Sequence, residues 1–370
     1  MTINKKVFLT TTSIITCGGN NEDELFENIC HKKTGITVDS TYFNEETVSI
    51  GKINSQTYFF DLLIQQVQII LDKSNLNNFE DTLLVIGSSV GGINISESLF
   101  IKEGHYKNID PNLHNIHTIQ YLLEKKFTFK DGISFSTACT SSANGLGYAY
   151  EVIKKGIYKN VLVLGVDALS KTTVGGFLSL GVLSQNACKP FDNQRDGMNV
   201  SEGIACLLLQ DRSNKNSVEV SGVGYSSDAY HMTHPHPDGK GAKQAMENAL
   251  KEASISPTDI NYINAHGTGT SANDSAEANA IESLFGNTPY INSTKSITGH
   301  TLGAAGAVEA IISKMVLNKQ IIPTNAFLDD PENKNINLSL ETKSSNIEYV
   351  MSNSFAFGGN NCSLIFRKIS

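Results

Sequence analysis

The sequence predicts an α/β protein, and three observations carry that expectation. Short β-rich runs alternate along the chain with segments whose apolar residues recur at helical spacing. The strand–loop–helix order of the first half returns in the second. At 370 residues, the chain is also too long for one small core.

The elements follow in order. Val7–Ile15 comes after Lys5-Lys6, is threonine-rich and precedes no A-x-A pattern, so it reads as a first strand and not as a signal peptide. Phe59–Leu71 has helical periodicity. Leu83–Gly87 is an apolar strand that enters the small-residue loop Ser88-Ser89. The extended run Ile133–Ser136 meets a glycine- and alanine-rich helix that ends near Lys154-Lys155-Gly156, and Val161–Val166 and Ile204–Leu209 close this half. The polar stretch Asp211–Ser217 has linker character and divides the chain into halves 1–212 and 213–370. After it come the strand Val218–Val223, the helix Lys243–Ala253 and the strand Ile260–Asn264, which enters Ala265-His266-Gly267. Asn292-Ser293-Thr294-Lys295 then leads to a helix beginning near Gly303-Ala304-Ala305-Gly306. The strands Tyr349–Asn353 and Cys362–Phe366 finish the pattern. The matching order suggests a duplicated fold with a pseudo-twofold axis.

Composition narrows the function classes. A net charge of −8 with only three arginines gives no electrostatic footprint for nucleic acid or an anionic membrane. No apolar run approaches the ~20 residues of a membrane helix. None of the six cysteines forms a C-x-x-C pair, and a chain this long needs no disulfide staples. They read as reduced, which implies a cytoplasmic protein.

Three residues can carry chemistry together. Cys139 sits where an extended run meets a helix opened by Thr140-Ser141-Ser142, a setting in which unpaired N–H groups favour thiolate. Small neighbours leave room for a bulky group to reach the sulfur. His266 follows a strand on a tight loop, and His300 precedes another helix. Each alone is more often a satisfied loop residue. At three strand ends they suit one pocket, because open α/β sheets bind ligands beyond strand C-termini. Cys17, Cys30, Cys188, Cys206 and Cys362 read as packing cysteines.

Four ordered strings then bear a resemblance. Ser136-Thr137-Ala138-Cys139-Thr140-Ser141-Ser142, Asn264-Ala265-His266-Gly267-Thr268-Gly269-Thr270, Lys295-Ser296-Ile297-Thr298-Gly299-His300 and Asn353-Ser354-Phe355-Ala356-Phe357-Gly358-Gly359-Asn360-Asn361 resemble the signature segments of β-ketoacyl synthases. Pro190-Phe191-Asp192, Arg195-Asp196-Gly197, Glu202-Gly203 and Asp228-Ala229-Tyr230-His231-Met232-Thr233 add to the match, which spans essentially the whole chain. The resemblance implies a thiolase-like fold with α-β-α-β-α layers and no cofactor. It further implies an acyl-carrier-protein partner and a dimer, either homomeric or with a related synthase subunit.

The resemblance also implies roles. Cys139 would carry the acyl group, while His266 and His300 would stabilise the enolate formed as a malonyl thioester loses CO2. The N–H groups of Cys139 and Phe357 would form an oxyanion hole, and Phe357 would gate the pocket. Lys295, paired with Glu309, would hold the histidine network. Thr268 and Thr270 would bind the carrier's pantetheine arm, with Phe355 beside the substrate. Asn264, Glu309, Ser352 and Asn353 match a monovalent-cation site of some members. The Cys–His–His set resembles elongating synthases, and opposes a chain-length-factor-like partner, a subunit type that usually lacks the nucleophile.

Departures from the family pattern concern substrate choice: a short stretch between Gly51 and Cys139, Ala356 where glycine is usual, and Met198, Asn199 and Ser201. They suggest a specialised polyketide or polyene system. A zinc site from His231, His234 and His236 has no cysteine ligand nearby. A phosphate loop at Gly87–Gly92 lacks the following Gly-Lys-Ser/Thr. Lys125, Lys126, Lys130, Lys154 and Lys155 are candidates for docking an acidic carrier.

Overall fold

The computed structural model describes residues 4–43 and 46–369. Among these, ten strands form one mixed sheet: β1 (Val7–Thr16), β2 (Thr82–Gly87), β3 (Asp131–Phe135), β4 (Asn160–Asp167), β5 (Gly203–Gln210), β6 (Val218–Ser227), β7 (Tyr262–Asn264), β8 (Tyr290–Asn292), β9 (Tyr349–Phe355) and β10 (Asn360–Lys368). Their spatial order is β8-β7-β9-β10-β6-β1-β5-β4-β2-β3. Read outward from the centre, each half runs first, fifth, fourth, second, third. The directions match as well. In each half the first, fifth and fourth strands pair antiparallel, and the fourth, second and third pair parallel. A short antiparallel ladder of Val7–Leu9 on Val218–Val220 joins the halves through their first strands.

Helices α1 (Phe59–Lys73), α2 (Ser141–Lys154), α3 (Lys240–Ala253), α4 (Ser271–Phe285) and α5 (Ala305–Lys319) complete the layers. Helices α2 and α5 pack on each other between the sheet halves, with α1 outside the first half and α3 and α4 outside the second. Every residue of α5 from Ala305 to Leu317 is buried, as expected for a helix apolar on nearly all sides. At the crossing with α2, a Cβ on Gly306 would lie 2.7 Å from the Cβ of Ala143, so only glycine permits this approach.

Both faces of the sheet are covered, which explains the near-continuous apolar strands. In β2 and β4, Val85 and Val163 point to the central core, whereas Leu84, Ile86, Leu162 and Leu164 point to the outer one. The parallel strands β2, β3, β7 and β8 all end on the same rim of their half, and their loops carry the polar residues of interest. No helix among the described residues is long and apolar enough to cross a membrane.

Candidate active site

The turn between β3 and α2 places Cys139. Ala138 adopts φ +53°, a left-handed conformation unusual for a residue with a side chain. Its carbonyl accepts from Ser89 Oγ at 2.9 Å and from Ser141 Oγ at 2.6 Å, which holds the turn. The Cys139 side chain is buried at 9% exposure. Its Sγ lies 3.0 Å from His300 Nε2, and the backbone N–H of Phe357 is placed to favour its thiolate form.

The two histidines meet at this sulfur. The rings of His266 and His300 stand 5.3 Å apart, nearly perpendicular. One ligating atom each of Cys139, His266 and His300 lies within 4.8 Å of the others. The His300 backbone is clamped by the strand leading into β5: its N–H donates to Asn199 O at 2.7 Å, and its carbonyl accepts from Ser201 N at 3.0 Å. The His266 loop is clamped by buried carboxylates on α4. Glu277 accepts from the N–H groups of His266 and Gly267, and Asp274 from those of Thr268 and Gly269.

Lys295 lies between these parts, only 1% exposed. Its ammonium pairs with Glu309, donates to the His266 carbonyl and lies 3.4 Å from His266 Nδ1. An ammonium can only donate, so Nδ1 of His266 accepts and the proton of that ring sits on Nε2. Burial holds both histidines well below the usual imidazole range, and the Lys295 charge adds to this. Both are therefore neutral at pH 7. Burial also pushes the Cys139 thiol up to about 11, against the Lys295 charge and the Phe357 N–H. The resting group is a thiol.

A cavity of about 690 Å³, counted with its open mouth, leads to the sulfur. Phe177, Val182, Met198, Phe355 and Phe357 give it apolar walls, and Thr268 and Thr270, with hydroxyls 2.9 Å apart, line it too. The Phe357 ring lies 6.1 Å from that of Phe177.

Family models described as "Beta-ketoacyl synthase, N-terminal domain" and "Beta-ketoacyl synthase, C-terminal domain" match residues 132–215 and 217–329. The 3-oxoacyl-[acyl-carrier-protein] synthase 2 of Vibrio harveyi is 33% identical to this chain, and that of Vibrio cholerae 32%, each over 99% of both chains. The chain belongs to the β-ketoacyl synthase family. Among solved structures, it is similar to a ketosynthase in complex with its chain length factor from Xenorhabdus doucetiae. That match has TM-score 0.87 and 30% identity, covering 99% of this chain and 98% of that one. A β-ketoacyl synthase from Burkholderia phymatum matches with TM-score 0.89 and 26% identity over 99% and 100%. The protein is thus a carbon–carbon bond-forming acyltransferase of thiolase-like fold.

In this synthase Cys139, His266, His300, Lys295, Glu309, Phe355, Phe357, Thr268 and Thr270 lie in or directly around one cavity. Beside it, Asn264 Oδ1, Glu309 Oε2 and Ser352 Oγ are buried without a hydrogen-bond partner among the described residues, whereas the Asn353 side chain bonds Glu277 and Ser363.

The structure bears on several expectations. The start of α2 does not lower the Cys139 pKa, because burial of the thiol dominates. Ala356, where glycine is usual, needs no glycine conformation, since positive φ falls on Gly358 and Gly359 instead. The loop after β2 offers no phosphate cradle: the N–H groups of Ser89 and Val90 already bind the Asp167 carboxylate. His231 and His234 do converge, with Nδ1 atoms 3.2 Å apart, but at the cavity rim, while His236 packs against Tyr230. Of the candidate lysines, three stand at the strand rim opposite the one that carries Cys139. Lys130 precedes the N-terminal end of β3, and Lys154 and Lys155 terminate α2, bound to Glu252 and Glu151.

Sequence reasoning missed Glu277, Asp274 and Asp167. A signal existed for Asp167, an acid that ends the wholly apolar run Val161–Val166. For the other two there was only acidity on a helix, which usually marks a solvated face.

Proposed function

We propose that this protein is an elongating β-ketoacyl–acyl-carrier-protein synthase acting through Cys139, His266 and His300. The observation that carries the reading is the 3.0 Å contact between Cys139 Sγ and His300 Nε2, with His266 beside it and Lys295 fixing that ring's tautomer.

In the first half-reaction, Cys139 sulfur attacks the carbonyl of an acyl thioester. Its proton passes by way of His300 to the departing carrier thiolate. The N–H groups of Cys139 and Phe357 receive the oxyanion. In the second, the Nε2–H of His266 and the His300 ring hold the malonyl thioester carbonyl while the carbon–carboxylate bond breaks and CO2 leaves. The enolate carbon bonds to the acyl carbon, and the Cys139 sulfur departs as thiolate and regains a proton. The product is a 3-oxoacyl thioester. Neutral imidazoles suit this work, since a donor that is already uncharged does not compete as a general acid at pH 7.

Thr268 and Thr270 would bind the pantetheine arm, and Phe357, which packs loosely on Phe177, would gate the acyl pocket. Asn264, Glu309 and Ser352 would hold a monovalent cation, a role that their unpartnered buried oxygens fit. When bound, it would offset the Glu309 charge. Asn353 fits this less well, its side chain being engaged elsewhere. The partners are an acyl-carrier protein and a second synthase chain, in a homodimer or heterodimer. The pathway is fatty-acid or specialised polyketide or polyene synthesis. Free cysteines support a cytoplasmic location, and the family matches meeting at residues 215 and 217 support halves 1–212 and 213–370.

The test is intact-protein mass spectrometry after incubation with acyl-carrier-protein thioesters of graded chain length. An acyl adduct on Cys139, absent from Cys139→Ala, supports the reading. No adduct with any chain, alone or with a second synthase subunit, would shift the reading to a non-catalytic chain-length factor.

A further inference from the structure

We propose that Asp167 is a positioning residue that ties the Cys139 turn to the His300 turn and sets the distance between sulfur and imidazole. The inference extends the reading above, and rests on it for the identity of the reacting groups.

Asp167 ends β4 with its carboxylate 1% exposed. No cation pairs with it among the described residues. Its oxygens instead collect donors from two separate segments. Oδ1 accepts from Ser88 Oγ at 2.6 Å, Ser89 N at 3.0 Å and Val90 N at 3.1 Å. Oδ2 accepts from Gly303 N at 2.6 Å and from Ser89 N at 3.0 Å. A carboxylate can serve all of these because it only accepts. Ser89 then passes the constraint on: its Oγ donates to the Ala138 carbonyl, one residue before the nucleophile. Gly303 does the same on the other side, three residues after His300.

Backbone strain marks both ends of this clasp. Ala138 has φ +53° and Leu302 has φ +52°, both non-glycine residues in the left-handed region. Such conformations persist only where surrounding contacts over-determine them. The packing leaves no slack. A Cβ on Gly303 would stand 2.6 Å from Ser89 N and 2.8 Å from Asp167 Oδ2. One carboxylate therefore fixes the two turns that present Cys139 and His300, without touching either reacting atom.

The isosteric change Asp167→Asn breaks one arm only, because its NH2 must face either the Ser89 and Val90 amides or Gly303 N. Ser89→Ala cuts the link to Ala138 and leaves the carboxylate in place. The first readout needs no substrate: the rate of Cys139 alkylation by iodoacetamide, followed by mass spectrometry. The second compares acyl transfer to Cys139 with CO2 release from malonyl carrier in the absence of acyl donor. In Asp167→Asn, we expect both half-reactions to slow by about ten- to a hundredfold, with KM for carrier substrates within about threefold; alkylation is read in Ser89→Ala instead, because the Asp167 charge itself raises the Cys139 thiol pKa. In Ser89→Ala, which keeps that charge, alkylation and acyl transfer slow and CO2 release does not. A folded Asp167→Asn with both half-reaction rates within about twofold of wild type overturns the proposal. So does a Ser89→Ala that acylates at the wild-type rate, which keeps the test decisive if the Asn variant fails to fold. If wild type alkylates normally but never acylates, the functional reading fails while the alkylation comparison still judges the clasp.

Discussion

The two halves of the molecule share one strand order and one polar device, but they use it differently. After the second strand of each half, a small-residue loop turns its amides inward onto a buried carboxylate. In the first half, Asp167 on the sheet binds Ser89 and Val90. In the second, Glu277 and Asp274 on a helix bind the residues from His266 to Gly269. Only the second loop carries a side chain with acid–base chemistry. The first carries Ser88, which serves the clasp itself. The third strand–helix junction differs in the same way: the first half presents Cys139 there, and the second presents Lys295 and His300. Repeated backbone architecture supplies rigid platforms, and a few side chains decide which platform reacts.

Removing the cation from the second half should break this division most severely. Lys295→Met leaves Glu309 buried without its partner, and breaking a buried pair costs about 3–5 kcal/mol. It also frees the His266 carbonyl and Nδ1. Condensation should fall by about a thousandfold or more, and the melting temperature should drop, as calorimetry will show. The loss of the positive charge raises the pKa of both histidines, because Lys295 is, after burial, a cause of their depression. Any residual activity should therefore lose its acid limb at higher pH than wild type. An unshifted pH–rate profile would contradict the assigned electrostatics.

His266→Ala separates the halves more cleanly. It removes one donor to the developing enolate, so malonyl-carrier decarboxylation should fall by about a hundred- to a thousandfold. Acylation of Cys139 should stay within about threefold, because the sulfur keeps its contacts to His300 and Phe357. Equal losses in both half-reactions would mean that the second half also serves the nucleophile.

The legibility of the two regions differed for physical reasons. Strands were readable because both sheet faces are buried, so runs such as Leu83–Gly87 are apolar throughout. Cys139, His266 and His300 were readable because each stands in a distinctive string at a strand end. The carboxylate clasps were not. An acid that accepts several backbone N–H groups is indistinguishable in sequence from one facing solvent, and Glu277 lies ten residues beyond the loop it binds. The Cys139 pKa was misread because burial, which a single sequence does not report, outweighs the favourable start of α2. That reversal has its own consequence. With the thiol pushed up to about 11, the rate of iodoacetamide alkylation should keep climbing from pH 7 to about pH 9. A plateau near pH 7 would instead reveal a resting thiolate.

The smallest expected effect tests the opposite rim of the first half. Lysines near helix ends invited a carrier-docking reading, yet Lys154 and Lys155 lie at the far end of a 14-residue helix whose start adjoins Cys139. At ~1.5 Å per residue, that is about 20 Å from the sulfur. Both are already engaged with acids, Lys154 with Glu252 and Lys155 with Glu151. Partly exposed pairs of this kind contribute about 0–1 kcal/mol each. Lys154→Gln and Lys155→Gln should therefore lower stability only slightly and leave KM for carrier-bound substrates within about twofold at low salt. In the proposed reading the arm enters past His231 and His234, which line the cavity leading to Cys139. A KM that rises more than about fivefold in either lysine variant, with kcat unchanged, would move the docking surface to the wrong end of the sheet and break the assignment of that cavity as the entrance.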